Sequence, residues 1–272
     1  MPNIGDPDGP DIYSSFTRES EYYGGPGEGN VERHFFCGMH YKGHYKDDQE
    51  EGYGELTMSD GSTYAGEWKD GKFHGEGTFT KPSGTSYTGQ WVEGRKEGFG
   101  TWTLAPNHLG HRVYRGMFVN DQRHGWGLFT VEKPTCGGTA AYEGEWDKDK
   151  QTGKGYLLGA EEPGCVDMDG AATLELQRYV DGKKVGEGVR WCDPRKIRLD
   201  KEGVPLNEYR DPIGKRVPLP DGGLYYGPWK LKDGRDVGSC TEAEAAVIAS
   251  TIGLTVNSAF PFVPLGQDPS PA

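Results

Sequence analysis

The sequence lacks the apolar content and the long apolar runs on which thick cores and membrane spans depend. Only 33% of its 272 residues are apolar, whereas ordinary globular domains contain about 45–50%. The most apolar stretch, Ala245 to Leu254, is interrupted by Ser250 and Thr251 and falls well short of the roughly 20 residues that cross a bilayer. These shortages exclude an ordinary two-layer domain and predict no transmembrane helix.

Positive charge is also scarce. The 30 Lys and Arg residues are outnumbered by 42 Asp and Glu, which gives a net charge of −12. Because nucleic acids and anionic membranes recruit proteins through positive surfaces, this balance predicts no nucleic-acid partner and only a weak possibility of lipid binding. One segment, Arg190 to Arg216, is locally basic. This segment is either a solvated loop or a candidate anion-binding patch. The residues of the patch are Arg190, Arg195, Lys196 and Arg198.

Paired cysteines are absent. The five cysteines are far apart in the sequence, and no two of them form a Cys-x-x-Cys pair. The sequence therefore predicts neither a disulfide framework nor a zinc knuckle. The best metal candidates are His34, Cys37, His40 and His44. His34 and Cys37 would point to opposite faces of a strand, and no second cysteine completes the set. We therefore predict no metal site and no cofactor.

Signals for export and catalysis are missing as well. Met1 to Asp11 contain neither a basic cluster nor an apolar stretch, so we expect no secretory signal and a cytoplasmic protein. Glycine pairs such as Gly75 and Gly77 are not followed by the Gly-Lys-Ser/Thr of a phosphate loop. No nucleophile elbow is seen. The sequence thus predicts a protein that is not an enzyme.

Glycine, in contrast, is abundant and periodic, with 44 residues. Five segments begin at a tyrosine, which we number position 0. Position +2 is always glycine, position +4 is always aromatic, and positions +11 and +13 are glycine in all five. The five starting residues are Tyr41, Tyr64, Tyr87, Tyr114 and Tyr142, and the residues at +4 are Tyr45, Trp68, Trp91, Phe118 and Trp146.

This spacing predicts a β-hairpin in each repeat. Residues 0, +2 and +4 of an extended strand share one face, as do +11, +13 and +15 of the returning strand. Each hairpin therefore has an aromatic face of rings and glycines, where the glycines leave space for the rings. The opposite face of the second repeat is small or polar and should meet water; its residues are Ala65, Glu67, Lys69, Glu76, Thr78 and Thr80. Stacked hairpins predict an all-β, elongated, single-layer antiparallel array.

The repeats resemble the MORN (membrane occupation and recognition nexus) family. The family pattern, Tyr-x-Gly-x-Trp-x-x-Gly-x-x-x-Gly-x-Gly, is cleanest from Tyr64 to Gly77. It is clear over 41–158 and degenerate over 175–191, where Glu175 replaces the tyrosine and Gln177 the first glycine. The resemblance implies a scaffold on which a partner peptide or helix lies, often at the cytoskeleton, at membranes or in cilia. It also implies possible lipid-headgroup binding.

A helix is predicted near the C-terminus. Thr241 and Glu244 form a capping box. Ala245, Ile248, Ala249 and Ile252 follow with helical spacing. We expect this amphipathic helix to cap the array by covering the aromatic face of the last hairpins; docking on another protein is the alternative.

The chain therefore divides into six segments. These are an acidic Gly/Pro-rich arm (1–40), five hairpin repeats (41–158), a connection with a degenerate sixth repeat (159–191), an irregular segment with the basic patch and a repeat-like end (192–238), the amphipathic helix (239–256) and a Pro-rich tail (257–272).

For function, we predict a non-enzymatic protein-interaction scaffold that binds a segment of a larger complex. A membrane or cytoskeleton recruitment module and a regulatory subunit of a separate enzyme are the alternatives, and self-association through open sheet edges is possible. The predicted docking site is the aromatic face, although core packing between repeats is the other interpretation of each ring. Its residues are Tyr41, Tyr64, Trp68, Tyr87, Trp91, Tyr114, Phe118, Tyr142 and Trp146.

Overall fold

The computed structural model of the chain describes residues 22–23, 28–107, 110–132, 139–158, 173–192, 216–218 and 224–254. Most of the N-terminal arm, much of 159–238 and the Pro-rich tail lie outside these residues. The described residues divide into two compact units, Met1–Thr152 and Gly153–Ala272, which we call the first and second unit.

Strands dominate both units. They are β1 (Tyr22–Tyr23), β2 (Gly29–Phe35), β3 (His40–Lys46), β4 (Gln49–Thr57), β5 (Thr63–Lys69), β6 (Lys72–Thr80), β7 (Ser86–Val92), β8 (Arg95–Asn107), β9 (Gly110–Val119), β10 (Gln122–Glu132), β11 (Thr139–Asp147), β12 (Lys150–Leu158), β13 (Thr173–Val180), β14 (Lys183–Cys192), β15 (Arg216–Pro218), β16 (Leu224–Lys232) and β17 (Arg235–Ser239). One helix, α1 (Glu242–Ile252), follows them.

In the first unit, each strand from β1 to β10 pairs with the next in antiparallel register. The predicted array of antiparallel hairpins is confirmed. Its tight turns use left-handed backbone at two successive residues, as at Asn120 (φ 48°) and Asp121 (φ 67°). Two such residues form the turn whose twist matches that of paired strands.

The two glycines of each returning strand have different roles. Gly75 (position +11) has a φ of 53° and lies at a register shift, so it forms a bulge. Gly77 (+13) pairs with Gly66 under the Tyr64 ring, and a Cβ on Gly77 would lie only 2.6 Å from ring atoms. Only the +13 glycine therefore makes room for the ring as predicted; the +11 glycine shapes the backbone.

The second unit keeps the hairpin pattern in altered form. Strand β12 pairs with β13, β13 with β14, and β16 with both β14 and β17, while the short β15 also pairs with β16. The degenerate sixth repeat and the repeat-like end are thus both hairpins, β13–β14 and β16–β17.

Helix α1 forms as the sequence predicts. Thr241 and Glu244 complete the capping box, and the helix ends at Gly253. With 11 residues, it is short for a membrane span, and the described chain contains no helix that could cross a bilayer.

The predicted location of α1, however, was wrong. Its apolar stripe packs on Leu176 and Val189. These two residues occupy positions +1 and +14 of the sixth repeat, next to Glu175 (position 0) and Gly188 (+13). Because successive residues of a strand point to opposite faces, both lie on the face opposite the one that carries the rings in the other repeats. The reason is chemical, because the sixth repeat has Glu175 and Gln177 on its former aromatic face, whereas its opposite face offers apolar side chains. We call this opposite face of any repeat the outer face.

Candidate functional site

The predicted docking rings are packed inside the first unit. All nine are between 0 and 4% exposed. They meet edge to face along the array, as Tyr64 does with Trp68 (centroids 5.2 Å apart) and with Trp91 (5.7 Å), a geometry that aromatic pairs favour. Core packing, the alternative considered for each ring, is what the structure shows. Contact between these rings and a partner stays a prediction.

The polar atoms of the rings are also satisfied within the array. Tyr64 Oη donates to the Glu67 carbonyl at 2.8 Å, and the same bond recurs in the other four repeats. Trp91 Nε1 donates to the Gly77 carbonyl of the preceding repeat at 3.1 Å. Burial raises the pKa of Tyr45 to about 12, and it also raises the pKa values of Tyr41, Tyr87, Tyr114 and Tyr142. The rings are therefore a neutral, internally bonded core.

Cations are buried among these rings, and two of them, Arg123 and Lys96, follow a common pattern. The Arg123 guanidinium lies 4.2 Å from the centroid of Trp146, and its Nε is 2.9 Å from Asp149 Oδ1. Lys96 lies 5.1 Å from the Trp102 centroid, and its backbone N–H donates to Asp121 Oδ1 at 2.8 Å. The sequence analysis missed this pairing. The sequence signal is a correlation between successive repeats. A repeat with Lys or Arg at +9 is followed by a repeat with Asp at +7, whereas a repeat with Glu50 or Phe73 at +9 is followed by one with Gly71 or Gly94 at +7.

The candidate anion patch is only partly within the described residues. Arg190 binds Glu175, with Nη2 to Oε2 at 3.0 Å, and Lys184 Nζ lies 2.9 Å from Glu175 Oε1. The Glu175 side chain is buried, so Arg190 belongs to an internal ion cluster. Arg195, Lys196 and Arg198 lie outside the described residues.

An exposed apolar strip lies instead on the outer face of the third and fourth repeats. Phe99, Met117 and Trp126 are 46%, 41% and 36% exposed. Phe99 is directly opposite Met117 in the β8–β9 ladder, and Trp126 is on β10, the next strand. These three neighbouring side chains form what we call the outer strip. Exposed apolar side chains on adjacent strands are a candidate interaction site, because monomeric proteins seldom group them.

The outer strip is bordered by carboxylates on β11. Trp126 lies opposite Glu145, and its Nε1 donates to Glu143 Oε1 at 3.2 Å. Asp147 Oδ1 is 3.2 Å from His124 Nδ1. Exposed Arg115 lies two residues from Met117 on the same face of β9. The strip thus combines apolar contact area with three carboxylates on its β11 side and one cation on β9, and this excess of carboxylates favours a ligand that is both apolar and basic.

A family model for the MORN repeat matches six segments of the chain, residues 41–63, 64–86, 87–108, 114–130, 142–160 and 178–193. This chain is a MORN-repeat protein. MORN repeats are modules for interaction with proteins or membranes. No curated protein matches the chain.

The third and fourth MORN repeats carry the outer strip, and sequence reasoning missed it because it generalised from the second. There the outer residues are polar, as predicted, and Glu67, Lys69 and Glu76 are exposed. The signal was position +12, which is Tyr53, Glu76, Phe99, Trp126 and Lys154 in successive MORN repeats. Reading that column alone would have located the apolar patch.

Three potential metal ligands meet ahead of the first MORN repeat. Glu32, His34 and His40 each offer one ligand atom, and these atoms lie within 4.8 Å of one another. Two of them come from the histidine and cysteine set that the sequence suggested, while Glu32 was not considered. Cys37 and His44 are outside this group.

Proposed function

We propose that this MORN-repeat protein is a non-enzymatic, cytoplasmic interaction scaffold whose outer strip binds an amphipathic, basic helix of a partner protein. A cytoskeletal or ciliary protein is the partner that the family resemblance favours. We propose no reaction for the protein, because binding through Phe99, Met117 and Trp126 requires only contact area.

The observation that carries this proposal is the position of α1. In the second unit, the outer face is apolar at Leu176 and Val189, and it is covered by the chain's own helix. Lys154 Nζ and Arg178 Nη2 donate to the Gly253 and Thr251 carbonyls at 2.8 and 3.0 Å and hold the C-terminal end of the helix there. The outer face of this fold therefore accepts a helix where its side chains are apolar.

The outer strip has the same kind of apolar surface with opposite flanking charge. The surface under α1 carries the cations Lys154 and Arg178, whereas the strip is bordered by the carboxylates of Glu143, Glu145 and Asp147. Lys or Arg side chains beside the apolar stripe of a partner helix would complement these carboxylates. The net charge of −12 points the same way, and it disfavours an anionic membrane as the ligand.

The test begins with proximity labelling in the native cell. Full-length protein is compared with a Phe99→Ser/Met117→Ser/Trp126→Ser variant and with Tyr53→Ser as a matched control. Tyr53 is also an exposed aromatic residue at +12 (61% exposed) but lies outside the strip. All four side chains are exposed, so the variants should keep the far-UV circular dichroism of the parent.

We expect the triple variant to lose a set of neighbours that the Tyr53→Ser protein keeps. A purified basic amphipathic segment from one of them should bind the parent directly. Loss of Trp126 alone should then weaken binding by about 2 kcal/mol, or roughly 30-fold in Kd. Unchanged neighbours, or lost neighbours that bind through acidic segments, would contradict the proposal.

Two further measurements identify other occupants. Light scattering that shows a dimer of the parent and a monomer of the triple variant would assign the strip to a second copy of the chain. Sedimentation with phosphatidylserine vesicles that depends on the strip would assign it to a membrane. Either result would contradict the partner helix as the occupant of the outer strip.

A further inference from the structure

The hairpin β2–β3 holds two histidines directly opposite each other. His34 and His40 form a cross-strand pair, and their rings stack with centroids 4.3 Å apart. The loop between them is short and internally bonded, because Phe35 N–H donates to the Met39 carbonyl and Gly38 N–H to the Phe35 carbonyl, both at 2.9 Å. The pair is thus positioned by the backbone before any ligand binds.

Glu32 adds a carboxylate to the same face. It lies two residues before His34 on β2, and alternate residues of a strand share a face. His40 Nε2 is 3.0 Å from Glu32 Oε1. Two imidazoles and one carboxylate are therefore within reach of a single point outside the sheet.

We propose that Glu32, His34 and His40 form a binding site for a divalent transition-metal ion of the zinc class. Imidazole nitrogen and carboxylate oxygen are ligands that zinc takes at about 2.0–2.2 Å. The ligand atoms lie within 4.8 Å of one another, so small rotations of these accessible side chains bring all three onto one ion. The ion would take the place of the direct contact between His40 Nε2 and Glu32 Oε1.

The fourth position of a tetrahedral ion stays open to water or to another molecule. A bound ion also links β2 to β3, and β2 pairs with β1 through Tyr23 and His34. Metal binding should therefore stabilise this N-terminal hairpin. This site is separate from the outer strip and does not depend on it.

The experiment titrates full-length protein with Zn2+ by calorimetry, and with Co2+ by visible absorption as a spectroscopic check. We compare the parent with His34→Gln and Glu32→Gln. His74→Gln and Cys37→Ser are matched controls, since the first removes a histidine and the second a nearby thiol outside the group. Because these side chains are on the surface, circular dichroism should show all variants folded.

We expect one Zn2+ per chain and a Co2+ spectrum typical of nitrogen and oxygen ligands. His34→Gln should weaken binding at least as much as the roughly 10–100-fold that loss of an outer-shell partner costs other metal sites, and Glu32→Gln should weaken it less. The controls should bind like the parent.

Equal Zn2+ affinity in His34→Gln and His74→Gln would overturn the proposal and mean an adventitious ion only. Loss of binding in Cys37→Ser would overturn it too, because the thiol would then be a ligand. If His34→Gln failed to fold, the Glu32→Gln and Cys37→Ser titrations would still decide between these outcomes.

Discussion

The two units build the same antiparallel hairpins around different interiors. In the first unit, Tyr64 lies over the Gly66–Gly77 pair, and rings from successive repeats stack edge to face. In the second, Glu175 and Gln177 occupy the tyrosine and glycine positions. Glu175 contacts Lys184 and Arg190, and the Gln177 amide donates to the Val185 carbonyl at 3.0 Å. The hairpin pattern therefore survives a change from an aromatic to a polar interior.

The outer faces differ in the opposite sense. The polar interior of the sixth repeat is accompanied by an apolar outer face that α1 covers, whereas apolar side chains on the outer face of the first unit, such as Phe99 and Trp126, are exposed. The comparison teaches that the positions repeated along the chain set the strands, while the residues between them decide which face a helix can cover.

The largest expected difference between the units is at high pH. Burial holds the pKa values of Tyr41, Tyr87, Tyr114 and Tyr142 above the ordinary value of 10. These buried neutral tyrosines therefore stabilise the folded state fully below pH 10. Above pH 10 the tyrosines of the unfolded chain lose their protons, so the folded state becomes progressively less stable relative to it. Each such tyrosine should lower the free energy of unfolding by about 1.4 kcal/mol per pH unit in that range.

Tyrosinate absorbance at 295 nm, recorded together with far-UV circular dichroism, measures this effect. Part of the absorbance change should coincide with the loss of circular dichroism in one steep transition above pH 10, since these buried tyrosines ionise only when the first unit unfolds. Ionisation of all 15 tyrosines of the chain with the strands intact would show that the rings are accessible.

A smaller but still large loss of stability should follow Trp91→Ala. Trp91 is fully buried, meets Tyr64 and Tyr87 edge to face and donates to the Gly77 carbonyl. Removing a buried tryptophan costs about 3–5 kcal/mol. The matched variant Trp126→Ala removes a partly exposed ring of the outer strip and should change stability by only about 0.5 kcal/mol. Urea unfolding of both variants gives the comparison, and equal losses would contradict the division into core rings and surface rings.

The smallest effect should come from converting the second unit's interior into the first. The double variant Glu175→Tyr/Gln177→Gly restores the MORN pattern. Lys184 is at position +9 of its repeat, the position at which Lys96 of the third repeat lies near the Tyr87 ring. Both this double variant and Glu175→Ala leave Lys184 and Arg190 without their carboxylate, which is destabilising. The ring introduced in the double variant should offset much of this loss, because it can face Lys184 as the Tyr87 ring faces Lys96, whereas Glu175→Ala has no such compensation. Thermal unfolding orders the three proteins, and a double variant less stable than Glu175→Ala would refute this view of the two interiors.

Much of the fold could be predicted from residue spacing. The hairpins follow from the positions of Tyr64, Gly66 and Trp68 and from the alternation of strands, and α1 follows from Thr241 and Glu244. Each of these signals is local, because it depends on neighbours within one turn or one hairpin. The role of Gly75 as a bulge was not predicted, since a bulge is defined by the register of the partner strand.

The candidate site was predictable only in outline. Sequence alone identified the rings, but it could not decide between a docking surface and a core, because burial depends on how rings of successive repeats meet. The same limit applies to Arg190, whose carboxylate partner Glu175 lies on a different strand. The outer strip needed the β8–β9 register before Phe99 and Met117 became neighbours.

The sequence by itself determined the MORN hairpins, their turns and the existence of the C-terminal helix, because each depends on short-range backbone geometry and spacing. Only the tertiary structure decided which face α1 covers, which rings are core, and that Glu32, His34 and His40 meet. These outcomes depend on side chains brought together across strands, where packing and charge choose among contacts that the linear spacing allows equally.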